Sequence, residues 1–147
     1  MAAENQPAPG LLRRLAAMFY DGLVLAAVLM IAGAAWVAAH RAAAAPGDLL
    51  FRLYLVAVTA LFFAAFWTRG ETLGLRAWKL RLVGPGGRPP GWGRALLRFA
   101  AAVLSWLPLG LGFLWVLVDR DRLAWHDRLS GTRLVLRSDA GHRSADS

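Results

Sequence analysis

An acid inside a membrane-length apolar run constrains this chain more than any other feature. From Leu15 to about Ala39 the sequence is nearly all Ala, Leu, Val, Met and Ile, yet it contains Asp21. At about 1.5 Å rise per residue, such a run exceeds the roughly 30 Å hydrocarbon core of a bilayer and can cross it with tilt. A carboxylate at mid-helix costs about 2.5–3.5 kcal/mol on insertion scales, so it normally finds a partner or lines a watery path. Asp21 therefore has two readings, a packing latch or a group that handles ions or protons.

Composition agrees with a membrane setting. Of 147 residues, 58% are hydrophobic and 18% charged, too apolar for an ordinary soluble surface. The net charge is +8, and all but one of the 17 cations are Arg. They flank the apolar runs, a placement that suits anionic lipid headgroups better than nucleic acid. No cysteine is present, which excludes disulfides, thiolate catalysis and Cys-ligated zinc. The first run could be read as a cleaved signal peptide behind Arg13 and Arg14. Such h-regions are about 7–15 residues long, so a retained helix is the favoured reading. A twin-Arg export signal lacks its polar and Phe context.

Residues 1–10, "MAAENQPAPG", read as a disordered leader, 11–137 as one membrane domain, and 138–147 as a flexible tail. Helix one is expected from about Arg13 to Ala39. Its Gly22/Ala26 and Ala34/Ala38 spacing either lets another helix approach closely or simply reflects Ala-rich composition. Pro46-Gly47 breaks the chain, and helix two is expected from about Leu49 to Trp67. Trp36 and Trp67 read as interfacial anchors, and Arg52 can snorkel. "KLRLV" and "TRLVLR" alternate polar and apolar like strands and are expected to pair as a small surface sheet, rather than remain two extended loops. Two strands alone are marginal in water, so the helices would have to brace them.

The third apolar run, about Ala95 to Val118, is broken in its middle by Pro108, Gly110 and Gly112. Strongly basic segments flank it: Arg69 to Arg94 before, Arg120 to Arg143 after. Lys and Arg near span ends favour the cytoplasm. One crossing would send one basic segment outside. A re-entrant hairpin, or two short passes, keeps both inside and is favoured, with protein or water covering the break. The expected class is thus a mainly α membrane protein with two transmembrane helices, a broken third segment and a two-stranded cytoplasmic β pair. Arg98, about one turn into the third run, reads as the charge partner of Asp21. Arg14 lies roughly 10 Å from Asp21 along the same helix, too far for easy contact.

"DRDRLAWHDRLSGT" clusters Asp119, Asp121, His126 and Asp127. Carboxylates with a His could bind a hard cation. The interspersed Arg residues would repel a metal, so local ion pairing at the membrane surface is favoured. "GPGGRPPG" lacks a phosphate-loop ending. No nucleophile with a credible base is visible, so no enzyme activity, metal or cofactor is expected.

These features together resemble the RDD family of small bacterial membrane proteins, named for an Arg and two Asp. "RLAAMFYD" supplies Arg14 and Asp21, and "WHDRLSGTRLV" supplies Asp127 as the second Asp. "GETLGLRAWKLRLV" is similar to the family's central block, at Gly70, Thr72 and Gly74. "RALLRFAAAVLSWLPLGLGFLW" resembles its third apolar block, and the likeness spans about residues 11–137. The resemblance implies a membrane-embedded protein; cation/proton exchange is attributed to some members. Arg14, Asp21 and Asp127 are the implied motif or ion-handling residues. The expectation is an ion-transporting bacterial inner-membrane protein, multi-pass with a cytoplasmic N-terminus. Three or four segments hardly enclose a path, so a homo-oligomer or partner membrane protein is expected besides membrane lipids. The alternative is a scaffold or assembly factor whose basic face holds lipid or a partner.

Overall fold

The computed structural model describes residues 9–41, 44–45, 47–106, 115–119 and 123–137. Helix α1 (Leu11–His40) starts after Gly10 and runs through a long apolar series, interrupted by Asp21 and free of proline. Arg41, in left-handed backbone at φ 52°, ends it. Helix α2 (Leu49–Trp67) is capped by Asp48, whose carboxylate accepts the N–H groups of Leu50 at 2.9 Å and Phe51 at 3.1 Å. At 30 and 19 residues, the two are about 45 and 28 Å long. Both are long and apolar enough to cross a membrane.

The two helices form an antiparallel hairpin. Trp36, late in α1, packs on Phe51 and Tyr54, early in α2, with ring centroids 5.4 and 5.3 Å apart. The Tyr54 hydroxyl donates to the Ala32 carbonyl at 3.3 Å. Trp36, expected as an interfacial anchor, therefore also ties the hairpin together.

The remaining elements gather where α1 begins and α2 ends. They are α3 (Leu73–Ala77), β1 (Leu80–Val83), α4 (Trp92–Trp106), α5 (Trp125–Ser130) and β2 (Arg133–Leu136), with 3-10 turns at Pro85–Gly87 and Trp115–Leu117. The expected strand pairing occurs: β1 and β2 are antiparallel, with Leu80 opposite Leu136 and Val83 opposite Arg133. Alternation explains it, since Leu80 and Leu82 are buried while Arg81 between them is exposed. The pair is braced by a core of Ala17, Leu75, Leu80, Leu82 and Leu134, to which α1, α3 and both strands contribute. This assembly is called the cap below.

Because β1 precedes α4 and β2 follows α5, the chain between Val83 and Arg133 begins and ends at the same place. The third run lies within this stretch. Its first part is α4; the Pro108–Gly112 break lies outside the described residues.

Polarity in the helices is inverted relative to a soluble protein. Leu12, Met30 and Ile31 of α1 are 83%, 76% and 71% exposed, whereas the buried residues of α1 are Arg14, Ala17, Asp21 and Ala32. Helix α4 repeats the pattern. It buries Ala95, Arg98, Ala101 and Ser105 and exposes Leu96, Leu97, Val103 and Leu104. Small residues inside and large apolar ones outside are what helices in lipid require.

Candidate functional site

The two family-type acids lie at the junction of the helices and the cap, each with its own partners. Asp127 sits in α5, a six-residue helix ended by Gly131 in left-handed backbone (φ 62°). Gly131 turns the chain into β2, and this return carries α5 against the starts of α1 and α4. Asp127 is fully buried. Its Oδ2 accepts from Arg14 Nη1 at 3.0 Å and from the Ala124 N–H at 3.1 Å, which caps α5. Its Oδ1 lies 2.6 Å from Arg98 Nη1. Arg98 also donates to Thr132 Oγ1 at 2.6 Å, and its guanidinium lies 5.1 Å from the centroid of the Trp67 ring. Thus α1, α2, α4, α5 and the entry to β2 all meet around one carboxylate.

Burial alone would raise the Asp127 carboxyl, but the Arg98 and Arg14 guanidiniums outweigh it and hold the group below the usual carboxylate range. His126 is also buried, with Nε2 3.5 Å from Asp127 Oδ1. Burial, reinforced by Arg98, pushes its imidazole down to about 3, so it is neutral at ordinary pH. The two guanidiniums, not His126, therefore supply the positive charge around Asp127.

Asp21 is satisfied differently. It is 6% exposed and accepts from two neutral donors: the Thr72 hydroxyl on Oδ2 and the Gly74 N–H on Oδ1, the latter at 2.7 Å. Thr72 is also the N-cap of α3, where its hydroxyl accepts the Leu75 N–H at 3.1 Å. Gly74 is required by contact rather than by backbone angle. A Cβ there would lie 2.1 Å from the Ala17 carbonyl oxygen and 2.8 Å from Asp21 Cγ. Gly70, at φ 81°, makes the turn after α2, and its carbonyl accepts the Leu82 N–H at 2.7 Å. The Gly70-x-Thr72-x-Gly74 spacing thus turns the chain, caps α3 and seats it on Asp21.

One expectation is corrected here. Arg98 is not the charge partner of Asp21; it pairs with Asp127, and among the described residues Asp21 has no cationic partner. Arg98 and Asp21 line one cavity, but α5 brings a second acid within reach and takes the guanidinium. Asp127 is likewise not a surface ion pair: Arg14 and Arg98 reach it in the interior. Asp119 pairs locally: its Oδ1 lies 2.7 Å from Nη2 of the exposed Arg128. Asp121 lies outside the described residues. Among those described, no group of three or more His, Cys, Asp or Glu is placed to hold a metal ion. Trp67 lies against Arg98.

A cavity of about 590 Å³ lies between α1, α2 and α4. Its walls are mostly apolar, and Arg14, Asp21, Arg98 and His126 line it as well. No residue pattern marks this cavity, because three separate helices form it.

The sequence model of the RDD family matches residues 8–131, most of the chain. No curated protein and no solved structure gives a significant match. The matched span includes Arg14, Asp21, the Gly70–Gly74 block and Asp127.

Proposed function

Since the chain belongs to the RDD family, we propose that it is a multi-pass protein of the bacterial inner membrane that exchanges cations for protons, with Asp21 as the titrating group. One observation carries this reading. Asp21 lies in an apolar helix, on the wall of a cavity, and is held by a hydroxyl and an amide rather than by a guanidinium. A carboxylate neutralised by Arg has little left to offer a cation. One held by neutral donors keeps its charge available to a proton or a metal cation. The same comparison assigns the latch role to Asp127.

Orientation follows from charge. The cap end carries the exposed Arg69, Arg76, Lys79, Arg81, Arg88, Arg94, Arg128 and Arg137, whereas the opposite turn of the hairpin has Arg41 and Arg52. The positive-inside tendency then puts the cap and the N-terminus in the cytoplasm. A reporter fused after Arg137 reads cytoplasmic on this account. Three or four segments do not enclose a path alone, so transport needs a second copy or a partner membrane protein.

The decisive experiment is proton-coupled cation flux in liposomes holding only the purified chain. Asp21→Asn keeps the membrane level and abolishes flux, because the new amide can still meet Thr72 and Gly74. Undiminished flux in that variant removes the proposal. The second reading, a scaffold or assembly factor, is favoured by the exposed basic surface of the cap; it predicts no flux from the unaltered chain.

A further inference from the structure

We propose that the cavity between α1, α2 and α4 holds an acyl chain of an anionic phospholipid, whose phosphate accepts a hydrogen bond from Arg98 at the cap end. The inference stands apart from ion exchange and needs only the membrane setting.

Four observations lead to it. Leu15, Met18 and Leu25 of α1 face Leu55, Val56 and Phe63 of α2 across the cavity, an apolar wall suited to a hydrocarbon chain. Its volume, about 590 Å³, lies within the range of sites that bind small molecules, about 300–1,000 Å³. The outer faces of the same helices expose Leu12, Leu23, Leu53 and Leu104, so the medium around the groove is lipid. Lastly, the cap end carries an unmet donor. Arg98 is 3% exposed and lines the cavity, yet its Nε–H has no acceptor among the described residues. A buried donor without an acceptor is costly, and a phosphate oxygen entering from the cavity would supply one.

Charge complementarity selects the headgroup. Arg14 and Arg98 share the single carboxylate of Asp127. Arg13 and Arg94, in the first turns of the same two helices, are exposed around that end. Among the described residues Asp21 is the acid that lines the cavity, so the four Arg side chains at this end outnumber it and Asp127 together. Basic pockets between membrane helices beside the cytoplasmic surface favour anionic headgroups. A zwitterionic headgroup would bring its own ammonium to these four cations.

The test uses the full chain in nanodiscs of equal phosphatidylglycerol and phosphatidylcholine, with lipid retained after release read by native mass spectrometry. The expected result is one phosphatidylglycerol retained in preference to phosphatidylcholine. Arg13→Gln lowers that retention by about fivefold, the worth of one cation near anionic lipid. Gly22→Leu fills the groove from α1, where no atom lies within 4 Å of the position of the new Cβ, and abolishes retention. Val56→Trp does the same from α2, away from every buried charge, and serves if Gly22→Leu fails to assemble. Equal retention of the two lipids overturns the proposal, as does retention that survives a folded filling variant. Displacement of the lipid by inorganic phosphate alone also overturns it, since the site would then read a free anion.

Discussion

Asp127 and Asp21 are both buried within one junction, and the chain treats them in opposite ways. Around Asp127, two guanidiniums converge from helices 84 residues apart in sequence, and the carboxylate serves as their common counter-ion. Around Asp21, a hydroxyl and a backbone amide from α3 do the same job without charge. The first arrangement neutralises and fixes. The second fixes but does not neutralise. A buried ion pair is a poor source of net stability, yet removing one member strands the other, which makes it an effective specifier of packing. Neutral hydrogen bonds carry less penalty when broken, so an acid held by them can change its occupant while the fold persists.

The largest test of this contrast is Asp127→Asn. It leaves Arg14 and Arg98 buried around an amide, a loss of about 3–5 kcal/mol, the usual cost of breaking a buried pair. Loss of the protein from the membrane fraction, or a steep fall in its unfolding midpoint in detergent, is the expected readout. Unchanged levels would break the comparison. Next comes Gly74→Ala, which drives a methyl against the Ala17 carbonyl and costs about 1–3 kcal/mol by overpacking. Thermal unfolding measures it, and Gly93→Ala, at a glycine with no neighbouring atom within 4 Å of the added Cβ, is the control with little effect.

Thr72→Ala removes both the α3 cap and one donor to Asp21, for about 1–2 kcal/mol. Thr72→Ser retains both hydrogen bonds and should restore most of the lost stability in the same assay. If Ser behaves like Ala, the hydroxyl is not what holds Asp21.

The smallest effect at neutral pH comes from His126. Its folded pKa, about 3, lies below the ordinary 6.5, so between those values the unfolded chain binds the extra proton. Stability therefore falls as pH drops from 6.5 toward 3 and is unaffected above that window. Asp127, also held low, adds to the loss only under stronger acid, once pH falls below the ordinary 3.8. A His126→Gln variant should flatten the unfolding midpoint between pH 6.5 and 4 relative to the unaltered chain. An unchanged slope would mean that another group titrates there.

Much of the architecture was legible in the residues. The hairpin came from two apolar runs divided by Pro46-Gly47, and the sheet from alternation in "KLRLV" and "TRLVLR". Asp21 stood out because an acid in such a run is costly. The partner assignment did not follow, and the reason is physical. "WHDRLS" is a six-residue helix, too short to display a buried face, and its charges read as solvated. Charge counting held a usable signal, because Arg14, at the edge of the first apolar run, and Arg98, inside the third, are two cations with Asp21 as the one acid within those runs. A further acid had to come from elsewhere. The Thr72 and Gly74 contacts were hidden for a different reason: a backbone amide leaves no mark in a sequence, and the glycine's purpose appears only when α3 lies against Ala17.

The pairing of Arg14 with Asp127 also sets an order of events in biosynthesis. The two residues are 113 positions apart. At about 5–20 residues per second, the acid leaves the ribosome roughly 6–23 s after the guanidinium it must meet. During that interval Arg14 waits for the carboxylate of Asp127, and the later emergence of Arg98 adds a second claimant. Final assembly therefore waits for α5, and a nascent chain stopped before it would lack the carboxylate that joins Arg14 to Arg98.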